Sequence, residues 1–342
     1  MSLKNLNVTT KIPKHFENNL KNKKINQIYK RFEKRLNISN NFIVAVSGGP
    51  DSLALAFLSK VYSIKKRLIA KFFIVDHKLR PESTQEAKRV QNILKKHSIS
   101  SKILTWVGKK PHKNIQSIAR KKRYELLFTE SDKLKINNVL LGHHQNDLFE
   151  NFIIRMIRGS GLKGLVSLDK LKKTNGKNLL RPLINEKKDN LILVSKKVFS
   201  TYINDPTNHD EKYLRIHVRK LIKEFEKKGL DKKKFITTIK NLKHSNNVVD
   251  FYVKQNLEKN TFFSKKEDKL FLKKEYFDQP FEIIFRSLSE SIKLVGKKYN
   301  FVRGRKLNKI ILNIENNRKY KQTIGGCIIE KVNQTIIISK ER

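Results

Sequence analysis

Four times between residues 42 and 158 a short apolar run is followed by a helical pattern, and this alternation constrains the fold more than any other feature of the chain. Phe42–Val46 is a continuous apolar run, typical of a strand buried on both faces. Asp51 to Lys60 then contains Leu53-Ala54-Leu55-Ala56-Phe57-Leu58, a helix apolar on nearly all sides and therefore buried. Phe72–Val75 precedes a helix near 83–97, Lys102–Trp106 one near 113–135, and Asn138–Leu141 one near 145–158. Such spacing predicts a parallel sheet with right-handed crossovers. Ligands in these sheets bind beyond the carboxyl ends of the strands. The polar residues that follow the first, second and fourth strands are therefore expected to converge.

Residues 13–37 read as a basic helix leading into this domain. Beyond about residue 213 the pattern becomes mostly helical. Leu214, Val218, Leu221, Ile222 and Phe225 form one apolar stripe, Phe235, Ile239 and Leu242 a second, and Phe281, Ile284, Phe285, Leu288 and Ile292 a third. Cys327–Ile329 and Thr335–Ile338 predict a small hairpin. The expected division is an N-terminal domain over 1–215 and a smaller, mainly helical domain with that hairpin over 216–342.

The strand at Phe42–Val46 runs directly into Ser47-Gly48-Gly49-Pro50-Asp51-Ser52 and then into a helix. Two glycines let the backbone turn its N–H groups toward an anion, and the helix start adds a positive dipole end. Ser47 and Ser52 can donate hydroxyl hydrogen bonds to phosphate. Asp51 cannot face phosphate unaided, so a bridging magnesium ion is expected. The Gly-Lys-Ser/Thr ending of kinase-type phosphate loops is missing.

Charge and cysteine content narrow the partners and the chemistry. The chain carries 76 basic and 31 acidic residues, a net charge of +45, which suits a polyanionic partner and also fits a Lys- and Asn-biased composition. Cys327 is the single cysteine, which excludes intrachain disulfides, Cys-rich zinc sites and paired-cysteine sulfur transfer. The opening MSLKNLNVTTKIPKHF lacks an apolar core segment, and no run approaches the ~18 apolar residues of a membrane span. A soluble, cytoplasmic protein without membrane contact is expected.

The Ser47–Ser52 loop resembles the pyrophosphate-binding loop of the PP-loop ATP pyrophosphatases, an α/β fold of the adenine nucleotide alpha hydrolase type. That resemblance implies cleavage of ATP between the α and β phosphates and transfer of AMP to a carbonyl oxygen, which would otherwise be a very poor leaving group. Further segments narrow it: Val75-Asp76-His77-Lys78-Leu79-Arg80, Ala119-Arg120-Lys121-Lys122-Arg123-Tyr124, Gly142-His143-His144-Gln145-Asn146-Asp147, Arg158-Gly159-Ser160-Gly161, Arg181-Pro182-Leu183 and Asn204-Asp205-Pro206-Thr207-Asn208. In order and spacing they resemble the tRNA(Ile)-lysidine synthetases over roughly residues 40–220, and Gly325-Gly326-Cys327 does so more weakly. That family adenylates the 2-carbonyl oxygen of the first anticodon cytidine of a CAU-bearing tRNA(Ile), and the amine of free L-lysine then displaces AMP.

The resemblance assigns ATP to Ser47, Gly48, Gly49, Pro50, Asp51 and Ser52, with adenosine near Asp76 and His77. Catalytic work falls to Asp51, Asp147, His144 and Glu150, and magnesium to Asp51 and Asp147. Arg120, Arg123, Arg181, Arg215 and Arg219 are assigned to phosphate or tRNA. A capped turn at Asp76 and a solvated basic face at Arg120 and Arg123 are the plain alternatives. The adjacent His143 and His144 are not expected to hold zinc. The chain departs from the family at Asn146, where a second Asp is usual, at Asn151 in place of Thr, and at His217 in place of an arginine. A homodimer is entertained as an assembly. Other readings are another PP-loop tRNA-modifying or amide-forming ligase, and a non-catalytic basic RNA-binding protein on this fold.

Overall fold

A computed structural model describes residues 11–108, 111, 114–203, 214–296, 304–316 and 319–341. The chain divides into two compact units, Met1–Lys232 and Lys233–Arg342.

In the first unit α1 (Lys14–Lys21) and α2 (Lys23–Leu36) precede β1 (Phe42–Val46), α3 (Pro50–Lys65), β2 (Ala70–Asp76), α4 (Ser83–Lys96), β3 (Ser101–Thr105), α5 (Ile115–Lys133), β4 (Asn138–Leu140) and α6 (Gln145–Ile157). There follow α7 (Leu162–Leu165), β5 (Leu171–Thr174), β6 (Lys177–Leu180), α8 (Lys188–Phe199) and α9 (Leu214–Lys227). The single helix expected over 13–37 is broken at Asn22, whose side chain accepts from the amides of Lys24 and Ile25 and so caps a new helix.

The six-stranded sheet has the order β3-β2-β1-β4-β6-β5. All neighbours are parallel except the edge pair β5–β6. Alternation along β1 sends Phe42, Val44 and Val46 into one core and Ile43 into another, so both faces of the sheet are covered. The first core is closed by α2, α3, α4 and α8, the second by α5. Every position from Ser52 to Ser59 of α3 is buried, as its all-round apolar sequence requires. β5 and β6 were not expected. Lys177-Asn178-Leu179-Leu180 is too short and too polar to stand out, yet β6 pairs with β4 and delivers Arg181 to the carboxyl edge.

The second unit holds α10 (Lys232–Asn260), β7 (Thr261–Ser264), β8 (Lys269–Leu272), α11 (Phe281–Gly296), α12 (Gly304–Asn316), β9 (Tyr320–Ile324), β10 (Cys327–Val332) and β11 (Thr335–Lys340). The expected hairpin is the β10–β11 pair, but it is part of a five-stranded antiparallel sheet of order β7-β8-β11-β10-β9. Helices α11 and α12 pack on that sheet around Leu288, Ile292, Ile310, Ile329 and Ile338. At Gly296 an added Cβ would lie 2.6 Å from the Gly325 carbonyl oxygen, so only glycine allows α11 to come that close. No helix among the described residues is long and apolar enough to cross a membrane.

Candidate active site

The turn from β1 into α3 is held together by one hydroxyl. Ser52 Oγ accepts from the amides of Ser47 (3.1 Å) and Gly48 (3.0 Å) and donates to the Gly49 carbonyl (3.0 Å). Ser52 is therefore part of the frame of the loop as well as of the cleft wall. The amides of Ser47 and Gly48 also point inward. The first-turn amides of α3, at Asp51 and Ser52, have no acceptor within the helix. Gly48 sits at φ +88° and its carbonyl accepts from the Ile203 amide at 2.9 Å. An added Cβ there would meet Val90 at 2.4 Å.

A cleft of about 340 Å³ opens above this turn, at the carboxyl ends of β1, β2 and β4. Its walls include Ser47, Gly49, Asp51, Ser52, Asp76, His77, Arg120, Arg123, His143, Asp147 and Arg215. The expected convergence of residues following three strands is thus observed.

On the β2 side Asp76 is buried, and its carboxylate accepts from the Lys78 amide (2.9 Å) and the Thr84 hydroxyl (2.7 Å). It shapes the turn through which His77 reaches the cleft. Arg123 Nε donates to His77 Nε2 at 3.3 Å, while His77 Nδ1 is buried without a partner. Burial, and then the Arg123 charge, push the His77 imidazole down to about 4, so it is neutral at ordinary pH. Arg120 lies over the Tyr124 ring at 5.2 Å.

On the β4 side His144 is the N-cap of α6. Its Nδ1 accepts from the Asn146 amide at 3.2 Å, and the Asp147 carboxylate accepts from the His144 amide at 2.8 Å. This reciprocal arrangement is a capping box. With Nδ1 accepting, the imidazole proton sits on Nε2, which lies 3.4 Å from Asp51 Oδ2. Burial alone would lower His144; the hydrogen bond to Asp51 and the Asp147 charge outweigh it and raise it above the ordinary value. For Asp147 burial acts upward, but His144, His143 and the capping N–H hold the carboxyl below the ordinary range. His143 is pushed down to about 3, first by burial and then by Arg181, Arg120 and Arg215, with only Asp147 opposing. Asn146 contributes its backbone amide to the cap, so the cap does not depend on the side chain that differs from the family pattern.

Glu150 pairs with the arginines of α9. Glu150 is almost fully buried, and both Arg219 (Nε to Oε1, 2.7 Å) and Arg215 (Nε to Oε2, 3.0 Å) close on it. A buried carboxylate must be paired. Arg215 and Arg219, expected on tRNA phosphates, thus also hold α9 against α6 through Glu150, and Arg215 lines the cleft. Arg181 is buried, donates to the Asp169 carbonyl at 2.8 Å and lies behind His143. Asn204–Asn208 lies outside the described residues.

Two site residues carry no signal in the sequence. Lys188 opens α8 and places Nζ 3.8 Å from Asp51 Oδ2. Glu186, two residues earlier, is buried and gathers Arg31 (2.9 Å), Arg35 (2.6 Å) and Asn190 (3.2 Å) on its carboxylate. Its carbonyl accepts from the Gln145 amide at 3.0 Å, tying the start of α6 to the start of α8. In a chain with 76 basic residues, one lysine or one arginine pair does not stand out.

Comparison with known proteins fits this geometry. Residues 18–225 match the PP-loop domain family. A tRNA(Ile)-lysidine synthase of Orientia tsutsugamushi is 35% identical over 311 residues, which span 87% of this chain and 69% of that protein. One from Wolbachia pipientis is 32% identical, with 89% and 71% covered. Among solved structures, a U34-tRNA thiolase from Methanococcus maripaludis aligns with a TM-score of 0.55 at 19% identity, over 65% of this chain and 78% of that one, a likeness of fold alone. With its ATP-type loop, its converging strand ends and these relatives, the chain belongs to the tRNA(Ile)-lysidine synthase family.

Proposed function

We propose that the chain is an ATP-dependent ligase that joins free L-lysine to the first anticodon cytidine of a CAU-bearing tRNA(Ile). In the first step the 2-carbonyl oxygen attacks the α-phosphorus and pyrophosphate leaves with the bonding electrons. In the second the lysine amine attacks C2, the carbon–oxygen bond breaks, and AMP leaves. The change turns a methionine-type anticodon into one read as isoleucine.

The observation that carries this reading is the meeting of the first turn of α3 with Asp51 and Asp147 in one cleft, both carboxylates within reach of the buried His144 ring. The α3 amides and the Ser47 hydroxyl take phosphate oxygens, and the adenosine lies toward Asp76 and His77. Asp147, ionised, orients the lysine ammonium, whose ordinary pKa of ~10.4 requires that it lose a proton before attack. Neutral His143 offers a hydrogen bond to the base without repelling the arginines behind it. His144 holds Asp51 by its Nε2–H. Glu150 acts as a positioning residue through Arg215 and Arg219. Arg120 and Arg123 face the negative charge of ATP or the tRNA backbone.

Asp51 Oδ1 is buried without a partner, which fits a magnesium ion held by Asp51, with Asp147 nearby, and completed by phosphate oxygens. When bound there it would neutralise phosphate charge beside a carboxylate. A homodimer belongs to this proposal only as an assembly to be measured.

The test is incubation with unmodified tRNA(Ile) bearing the CAU anticodon, ATP, magnesium and radiolabelled lysine. ATP-dependent label in the tRNA is expected. ATP–pyrophosphate exchange without incorporation would point to a different PP-loop ligase, and tRNA binding with neither activity would sink the enzymatic reading.

A further inference from the structure

The far end of α6 lies outside the cleft, yet it is fixed more firmly than a surface turn requires. The Ser160 amide donates to the Arg155 carbonyl at 3.0 Å and the Gly159 amide to the Met156 carbonyl at 2.9 Å, with Gly159 at φ +64°. This pair of bonds is a Schellman termination. The chain then folds back through α7. An added Cβ at Gly164 would lie 2.7 Å from the Ser160 Cβ, and Asn151 Nδ2 donates to Ser167 Oγ at 3.4 Å, so α7 and the segment after it are held against α6.

What this rigid turn presents is unusual for a surface. Leu148, Phe149, Phe152 and Ile153 of α6 are buried, whereas Met156 and Ile157 on its last turn are 53% and 54% exposed. Adjacent apolar side chains held out into water mark a contact surface more than a packing need. Around them the segment Asn151–Leu168 contains Arg155, Arg158 and Lys163 and no acidic residue. An apolar pair among basic side chains suits flat rings strung on phosphates, which is single-stranded RNA. A second copy of a chain with net charge +45 would be repelled from it. The same helix begins at the cleft, with His144 as its N-cap and Asp147 in its first turn. Its 13 residues span about 20 Å, at 1.5 Å per residue. A base reaches a cleft only after leaving its stack, which uncovers the faces of its neighbours at a cost of a few kcal/mol. Apolar side chains set against those faces offset part of that cost.

We propose that the end of α6 is a docking surface for the anticodon loop: Met156 and Ile157 lie against the bases that flank the first anticodon cytidine once that base has turned into the cleft, and Arg155 and Arg158 hold the phosphates of the loop. The inference rests on the reading of the substrate as a tRNA modified at that cytidine. One helix then sets both ends of the recognition, with the reacting base at its start and the neighbouring bases at its end. The Schellman turn and α7 keep the apolar pair in place before the RNA arrives, so little ordering is needed on binding.

Fluorescence anisotropy of the full chain with a CAU anticodon stem-loop RNA, carrying 2-aminopurine in place of the anticodon adenine, tests this. The double variant Met156→Ser, Ile157→Ser is expected to weaken binding about tenfold, as for loss of stacking on one base. It should also abolish the change in 2-aminopurine emission seen with the parent. Met156→Leu with Ile157→Leu should keep both. ATP binding and the unfolding midpoint should not move in either variant, since neither side chain is buried or lines the cleft. Arg158→Gln should lower the salt slope of stem-loop binding by about one phosphate contact. Stem-loop affinity in the serine variant within about twofold of the parent would overturn the proposal, as would a parent protein that does not bind the stem-loop. So would a serine variant that loses self-association while its RNA binding is unchanged, which would give the patch to a second copy. A parent that binds the stem-loop through these residues but attaches no lysine to tRNA would count against the proposed function and leave the docking surface standing.

Discussion

Gly48 illustrates how tightly single residues are specified. Its φ of +88° and the 2.4 Å approach of Val90 to any added Cβ leave no room for alanine. Gly48→Ala should cost about 2 kcal/mol or more, from left-handed strain plus the clash, seen as a lower thermal midpoint together with loss of ATP binding. Asp51→Ala is expected to abolish ATP–pyrophosphate exchange while tRNA affinity stays within about twofold, because Asp51 lines the cleft and carries no positive charge to pair with RNA phosphate. Retained exchange would remove Asp51 from the machinery. The half-buried histidines His77 and His143 impose a pH dependence. His77 and His143 are depressed in the fold to about 4 and about 3, against an unfolded value near 6.5. They are neutral in the folded state, so the stability linked to them is fully present above the unfolded value. It is lost as pH falls through 6.5 toward those depressed values. Denaturant unfolding from about pH 7 to about pH 4.5 should show a loss that His77→Gln makes shallower.

At the scale of elements, two buried carboxylates act as joints between helices. Glu186 joins α2, α6 and α8, and Glu150 joins α6 and α9. Removing one partner of such a joint strands charge in a poor solvent for it. Glu186→Ala should therefore destabilise by about 3 kcal/mol, at the low end for buried pairs because Arg31 and Arg35 are partly exposed. It should also weaken ATP binding, because the Glu186 carbonyl holds the start of α6, and with it His144 beside Asp51. A Glu186→Ala protein with an unchanged unfolding midpoint would show that the joint is dispensable. Most elements were legible in advance. Apolar runs of strand length and the 3.6-residue stripes located β1 to β4 and α3 to α6 closely, since those segments bury the residues that define the pattern. β5, β6, β7, β8 and β9 were not legible. They are short strands, several at sheet edges, and they take their pairing from neighbours distant in sequence.

For the whole molecule the dominant property is the net charge of +45. Its physical effect does not depend on its origin. Affinity for tRNA is expected to fall about 10³-fold between about 50 and about 200 mM salt, as for some six neutralised phosphates. A nearly flat salt dependence in a filter-binding or fluorescence assay would show that the lysine excess does not touch the RNA. The second unit has its own apolar core, around Leu288, Ile310 and Ile329, separate from the cores that flank the parallel sheet. Its five-stranded sheet is larger than the hairpin the sequence suggested, because Phe271 and Leu272 take their register from Phe262 and Thr261 on one side and from Ile337 and Ile336, distant in sequence, on the other.

What the sequence determined by itself was local and periodic: the alternation that makes a parallel sheet, the Ser47–Ser52 turn into a helix start, and the residues that follow each strand. These are legible because backbone geometry maps chain order directly onto the carboxyl edge of the sheet. Only the tertiary structure decided how those residues are employed. It turned Ser52 inward to frame the loop, made His144 and Asp147 a helix cap as well as a polar group, gave Arg215 and Arg219 to Glu150, and brought Lys188 to Asp51. Each is a pairing of charges or hydrogen-bonding groups across distant parts of the chain. Burial sets the cost of leaving such groups unpaired, and burial is a property of the folded chain.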